Sequence, residues 1–153
     1  MFPQLDNYLQ LWTKLEYDIK KYKETNHIFE LLNCIMTLNS FPEWIDKSQE
    51  SSNSLKETAR EKIKIMKGLD GFIFDESKLD SDIDQKLRFI RLICNHSKHK
   101  TDSELIPIIK SKWGTSFPSK FPGKFCNIIA IGEKEIDAEH LINSVAEFWK
   151  NRI

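Results

Sequence analysis

Between Arg88 and Lys100 the chain reads RFIRLICNHSKHK, a run with two arginines, two histidines, two lysines and an asparagine. Arginine grips phosphate oxygens bidentately and neutralises charge that develops on them. Histidine titrates near neutrality, so it can take a proton from a ribose 2′-OH or return one to a leaving oxygen. Asparagine can orient either group. These are the side chains of phosphodiester chemistry without a metal. The candidate catalytic residues are therefore Arg91, Asn95, His96 and His99, with Arg88, Lys98 and Lys100 as candidate binding residues.

The same run carries Phe89, Ile90, Leu92, Ile93 and Cys94, so it reads as a helix that is half core and half basic-polar. On a helical wheel with Arg91 at zero, Asn95 and Lys98 fall within about 40°, Arg88 near 60° and His99 near 80°. His96 lies about 140° away, toward Leu92 and Phe89. It joins the others only through side-chain reach, a helix distortion or a partner chain. Two readings follow. In one, the polar face is a binding or catalytic face. In the other, Asn95 and His99 tie the helix to its neighbours and the arginines pair with acidic residues elsewhere, since ion-pair networks resemble sites.

Weaker patterns surround the run. His96 and His99 form an i,i+3 pair with no carboxylate beside it, and His27 and His140 are remote, so no metal site is assigned. Asn95-His96-Ser97 matches a glycosylation acceptor but falls inside the expected helix. Cys94 sits on the core stripe, where a thiol is inert. There is no Gly-rich phosphate loop, no GxSxG and no paired-carboxylate motif, and no cofactor is implied.

The elements that position this helix follow from hydrophobic spacing. Leu5, Tyr8, Leu9, Trp12, Leu15, Ile19 and Tyr22 recur at threes and fours and predict a first helix over 4–24. Thr25 or Asn26 caps a second helix, whose apolar residues from Ile28 to Leu38 cover most of its circumference and predict a central, buried position. Ser40-Phe41-Pro42-Glu43 reads as a capping box that restarts a short helix. After a Ser-rich loop at 47–54, Ser54 and Glu57 open a charged outer helix that Gly68 stops near Lys67. An acidic loop at 69–81 holds a small apolar clip, Phe72-Ile73-Phe74. Ser81 or Asp82 then caps the helix over 83–98.

Pro107, Gly114, Pro118, Pro122 and Gly123 break regular structure over 101–124, with 105–112 partly extended. Phe125–Ile131, a turn at Gly132 and Lys134–Ile136 predict a β-hairpin. Asp137 caps a last helix with Leu141, Ile142, Val145, Phe148 and Trp149 inward. The expected fold is mainly α, a four- to five-helix bundle with one β-hairpin before the C-terminal helix, in a single domain over 1–153.

The totals agree with a folded domain. The chain has 153 residues, 40% hydrophobic and 30% charged, with zero net charge, so no global field steers it to nucleic acid or membrane. Charge is nevertheless unevenly placed. Asp70–Asp84 holds six acids against one lysine, and Arg88–Lys124 holds eight basic residues against two acids. The two segments either complement each other or leave a basic binding face. Three scattered cysteines without CxxC, no signal-peptide pattern and no membrane-length apolar run point to the cytoplasm.

Arg91-Leu92-Ile93-Cys94-Asn95-His96-Ser97-Lys98-His99 resembles the R-x-x-C-N-x-x-K-H signature of a loose group of bacterial helical proteins. Ile28–Ile45 resembles their apolar helix ending in D/E-W, and Ile128–Trp149 their hairpin followed by a helix closing in Phe-Trp. That group is similar to the HEPN superfamily of small helical bundles, whose motif is Arg, four to six residues, then His. Arg91 and His96 match that spacing. The resemblance implies a protein that is often a homodimer. Many such proteins are metal-independent ribonucleases of toxin–antitoxin, CRISPR or phage-defence systems, and others are catalytically silent. Active members usually carry a polar residue after the arginine, where this chain has Leu92. Two functional expectations result. One is a HEPN-like endoribonuclease acting on RNA. The other is a non-catalytic helical module that binds a nucleotide or a partner protein.

Overall fold

The computed structural model describes residues 5–98, 106–113 and 125–153. Helices α1 (Tyr8–Thr25), α2 (Ile28–Lys47), α3 (Asn53–Met66), α4 (Ile83–Lys98) and α5 (Ala138–Lys150) surround one apolar cluster. Strands β1 (Ile108–Trp113), β2 (Phe125–Ile131) and β3 (Lys134–Asp137) form an antiparallel sheet in the order β1-β2-β3. The mainly helical bundle is as the spacing predicts, but β1 pairs with the outer side of the hairpin's β2 and extends it to a three-stranded sheet with β2 at its centre. The partly extended stretch expected at 105–112 supplies the third strand, pairing Ile109 with Ile129 and Ser111 with Asn127.

α2 packs against all four other helices and is the axis of the fold. Leu31, Cys34, Ile35, Leu38, Phe41 and Ile45 are fully buried along it. Its burial is not complete around the circumference, because Phe29 and Met36 face solvent. The restart predicted at Ser40 does not occur. α2 runs unbroken through Pro42, although proline removes one backbone donor and crowds the preceding turn. Packing of the preceding residue, Phe41, explains this. Phe41 is enclosed by Tyr8, Trp12 and Trp149, with ring centroids 6.4, 5.6 and 5.7 Å away. Burying such a ring contributes enough to hold one strained turn in helical form.

Helix ends follow side-chain chemistry, with small shifts from expectation. Asn7 caps α1 by accepting from the amides of Leu9 and Gln10, so the helix begins four residues later than predicted. The imidazole of His27, rather than Thr25 or Asn26, caps α2. Ser52, not Ser54, caps α3 through the Leu55 amide at 3.1 Å. Gly68 stops α3 as predicted. It takes φ +68°, while its amide donates to Ile65 and that of Leu69 donates to Lys64, which is the Schellman arrangement. Asp137 caps α5 through the His140 amide.

A buried polar tie joins the sheet to the bundle. Asn127 on β2 is 4% exposed. Its Nδ2 donates to the Tyr22 hydroxyl and to the Asn26 carbonyl, both at 2.9 Å, and its Oδ1 accepts from Ser111 at 3.0 Å. The carbonyl of Asn26, a left-handed residue just beyond α1, is thereby satisfied from another element. Replacing Asn127 with leucine should cost about 2–3 kcal/mol, because several buried polar groups lose their partners at once. Urea unfolding at neutral pH checks this.

Burial pushes the Tyr22 phenol from 10.0 up to about 12, with the Asn127 bond opposing the rise, and pushes the Cys34 thiol from 9.0 up to about 12. In both cases the folded state keeps a proton that the unfolded chain releases. Stability should therefore fall as pH rises from 9 toward 12. Tyr22→Phe should flatten the part of that slope above pH 10. An unchanged slope in the variant contradicts this assignment.

Candidate functional site

α4 is built to be enclosed. Asp82 receives the Asp84 amide at 2.9 Å and starts the helix. Between Ile83 and His96 every residue is buried or half-buried. Leu87, Phe89, Ile90, Ile93 and Cys94 face the core, and Phe74 stacks on Phe89 with centroids 6.0 Å apart. Phe74 is thus the part of the predicted apolar clip that packs inward, whereas Ile73 is exposed.

The acidic loop is stitched to this helix and its neighbours without using the arginines. Gln85 accepts from the Asp75 amide at 2.8 Å, and the ammonium of Lys86 donates to the Asp80 carbonyl at 3.1 Å. Burial lowers the Lys86 pKa, and Asp80 and Asp82 oppose the shift. Lys62 pairs with Asp84 at 2.9 Å, and Lys134 pairs with Asp80. The acidic segment is therefore met by Lys62, Lys86 and Lys134, outside the basic 88–124 segment expected to complement it.

The two arginines of α4 have different fates. Arg88 donates from Nη1 to the Met66 carbonyl at 2.7 Å, taking up an acceptor that the end of α3 leaves open. Its guanidinium lies over Gly68, where an added Cβ would stand 3.1 Å from Cζ. Burial, and then the nearby charge of Arg91, lowers its pKa. Arg88 is a structural clamp.

Arg91, one turn on, is half-buried and makes no hydrogen bond or ion pair among the described residues. It lines a crevice of about 10 Å³ with Asn39 and Glu43 of α2 and with Ile63, Met66 and Lys67 at the end of α3. Asn95, a further turn along, is half-buried and likewise unbonded among the described residues. The tie to neighbouring helices that one reading gives Asn95 is therefore not made there.

His96 is half-buried and engaged in an interaction of its own, and it does not line the Arg91 crevice. The wheel geometry accounts for that separation. Leu92 packs against the core. Lys98 closes α4, whereas His99 and Lys100 lie outside the described residues. Cys94 is 1% exposed. Among the described residues no three His, Cys, Asp or Glu side chains gather around one point, and no helix is long and apolar enough to cross a membrane.

No family model, curated protein or solved structure matches the chain.

Sequence reasoning missed Asn39, Glu43 and Lys67. The available signal was small: Asn39 and Glu43 are one turn apart in a helix otherwise read for its apolar content. Their approach to Arg91 depends on helix direction. Asp46 pairs with Arg60 while Asn39 meets Met66, so α2 and α3 run in opposite directions. Lys62 meets Asp84 and Met66 meets Arg88, so α3 and α4 run side by side in the same direction. The crevice forms where all three helices meet.

The contrast between the arginines is testable by thermal and urea unfolding. Arg88→Ala should lose about 1.5–3 kcal/mol, the value of a hydrogen bond from a charged group. Arg91→Ala should change stability by less than about 0.5 kcal/mol, as for a side chain without a structural partner. Equal losses would contradict the division of roles.

Proposed function

We propose that this chain is a HEPN-like protein that binds RNA through the open edge of α4 and cleaves it without a metal ion. The observation that carries the reading is Arg91, a half-buried residue whose guanidinium makes no hydrogen bond or ion pair among the described residues. An arginine without a protein partner keeps its fork of donors for an incoming phosphate, which it can hold bidentately. Asn95, one turn along α4, makes no hydrogen bond among the described residues.

In this mechanism Arg91 binds the scissile phosphate and stabilises the charge that builds on its oxygens. His96 acts as the acid/base group. As base it takes the 2′-OH proton while the 2′ oxygen bonds to phosphorus. The bond to the 5′ oxygen breaks, and that oxygen takes a proton from an imidazolium or from water. The products are a cyclic phosphate and a free 5′-hydroxyl. His99 remains the alternative acid/base group, with Lys98 and Lys100 adding positive charge for the backbone. Since His96 does not line the Arg91 crevice, the reading requires two copies facing each other through α4, as the HEPN resemblance implies. The same resemblance supplies the toxin or phage-defence setting.

A specific pair of observations favours a second reading, in which the site binds a nucleotide, RNA or a partner protein without cleaving. His96 does not line the crevice beside Arg91, and the position after Arg91 is the apolar Leu92.

The experiment is incubation of purified protein with a panel of RNAs, with and without EDTA. The ribonuclease reading expects cleavage that survives EDTA and falls by about 100-fold or more in Arg91→Ala and His96→Ala. RNA binding without cleavage supports the second reading. Cleavage unaffected by either substitution belongs to another component.

A further inference from the structure

The crevice beside Arg91 has an unusual polar composition for an anion site. A phosphate needs donors, and Arg91 and Lys67 supply them. The α2 wall instead offers acceptors. Asn39 is 8% exposed, and its Oδ1 is fully covered with no hydrogen-bond partner among the described residues. Leaving such a group unsatisfied is costly, and native proteins rarely do so without a reason. The terminal torsion of an amide is soft, so Asn39 can turn its oxygen toward the crevice. Glu43, the next residue on that face of α2, is half-buried and makes no hydrogen bond or ion pair among the described residues. The crevice thus sets two cations, Arg91 and Lys67, against two acceptors that have no partner among the described residues. Its volume, about 10 Å³, suits one water-sized group.

A ligand that meets these demands carries an anionic group with a hydroxyl close beside it. The hydroxyl must fit a water-sized space and donate to an acceptor. A ribonucleotide has that pairing in its phosphate and 2′-OH, and a deoxyribonucleotide has only the phosphate. We infer that Asn39 and Glu43 form a ribose-reading wall, accepting a hydrogen bond from the 2′-OH of a nucleotide whose phosphate is held by Arg91. They are specificity-determining residues contributed by α2, outside the α4 motif. The inference rests on the reading of Arg91 as a phosphate ligand and names what makes that site select RNA.

The test is equilibrium binding of a labelled oligouridylate and an oligodeoxyuridylate of the same length, with wild type, Asn39→Leu, Glu43→Leu and Arg91→Ala. Wild type should prefer the RNA by about tenfold or more, the usual scale for one good hydrogen bond in a desolvated site. Asn39→Leu and Glu43→Leu should each abolish the preference for RNA over DNA. Asn39→Leu should leave DNA affinity unchanged, whereas Glu43→Leu, which removes a negative charge beside the phosphate, should not lower it. Arg91→Ala should weaken both ligands alike. Glu43 is half-exposed, so its variant keeps the test open if the buried Asn39→Leu does not fold. Wild type binding both ligands equally, or both leucine variants keeping the preference, overturns the inference and leaves the phosphate role of Arg91 standing. A crevice that holds only water gives the latter result. Failure of wild type to bind either ligand overturns the reading of Arg91 and the inference together.

Discussion

The enclosure of α4 is the constraint on which the rest of the structure depends. Its inner face packs into the core, and α2, α3 and α5 all lie against it. A helix held this tightly has only a narrow edge open to water, and that edge carries Arg88, Arg91 and Asn95. Arg88 is spent on holding the end of α3, through the Met66 carbonyl and the surface of Gly68. The clamp sets where Met66 and Lys67 stand, and these residues close one side of the crevice beside Arg91. Positioning of the unpaired arginine is therefore a consequence of fixing the paired one.

Charge neutralisation within the bundle leads to the same division. The acidic segment after α3 is met by Lys62, Lys78, Lys86 and Lys134, through carboxylates or backbone carbonyls. Neither arginine of α4 is drawn into it among the described residues. A zero net charge thus coexists with one half-buried cation available for a ligand. Exposed pairs such as Lys78–Asp75 contribute little to stability. The enclosed contacts, Lys86 with Asp80 above all, set the path of the loop over α4.

Much of this was legible in the sequence. Apolar spacing located all five helices, Gly68 marked the end of α3, and Asp137 marked the start of α5, because periodicity and caps are local. What was missed depends on distant residues. Pro42 reads as a helix start until Phe41 is seen among Tyr8, Trp12 and Trp149. The strand at Ile108–Trp113 is weak by composition and exists through pairing with β2. Asn127 looks like a polar interruption of a β run, yet it joins that strand to the end of α1. For the site, the wheel set His96 apart from Arg91, and His96 does not line the crevice beside it. It held no information about Asn39 and Glu43, whose approach to Arg91 requires knowing which helices run in opposite directions.

The central claim is that α4 commits Arg88 to the fold and leaves Arg91 for a ligand. Arginine side-chain NMR during titration with an oligoribonucleotide tests it most directly. The account predicts that the Arg88 guanidinium protons exchange slowly with water and keep their shifts throughout. Those of Arg91 should exchange rapidly in the free protein, then slow and shift as RNA is added. Movement of the Arg88 signals with the Arg91 signals unchanged, or an equal response from both, would contradict it.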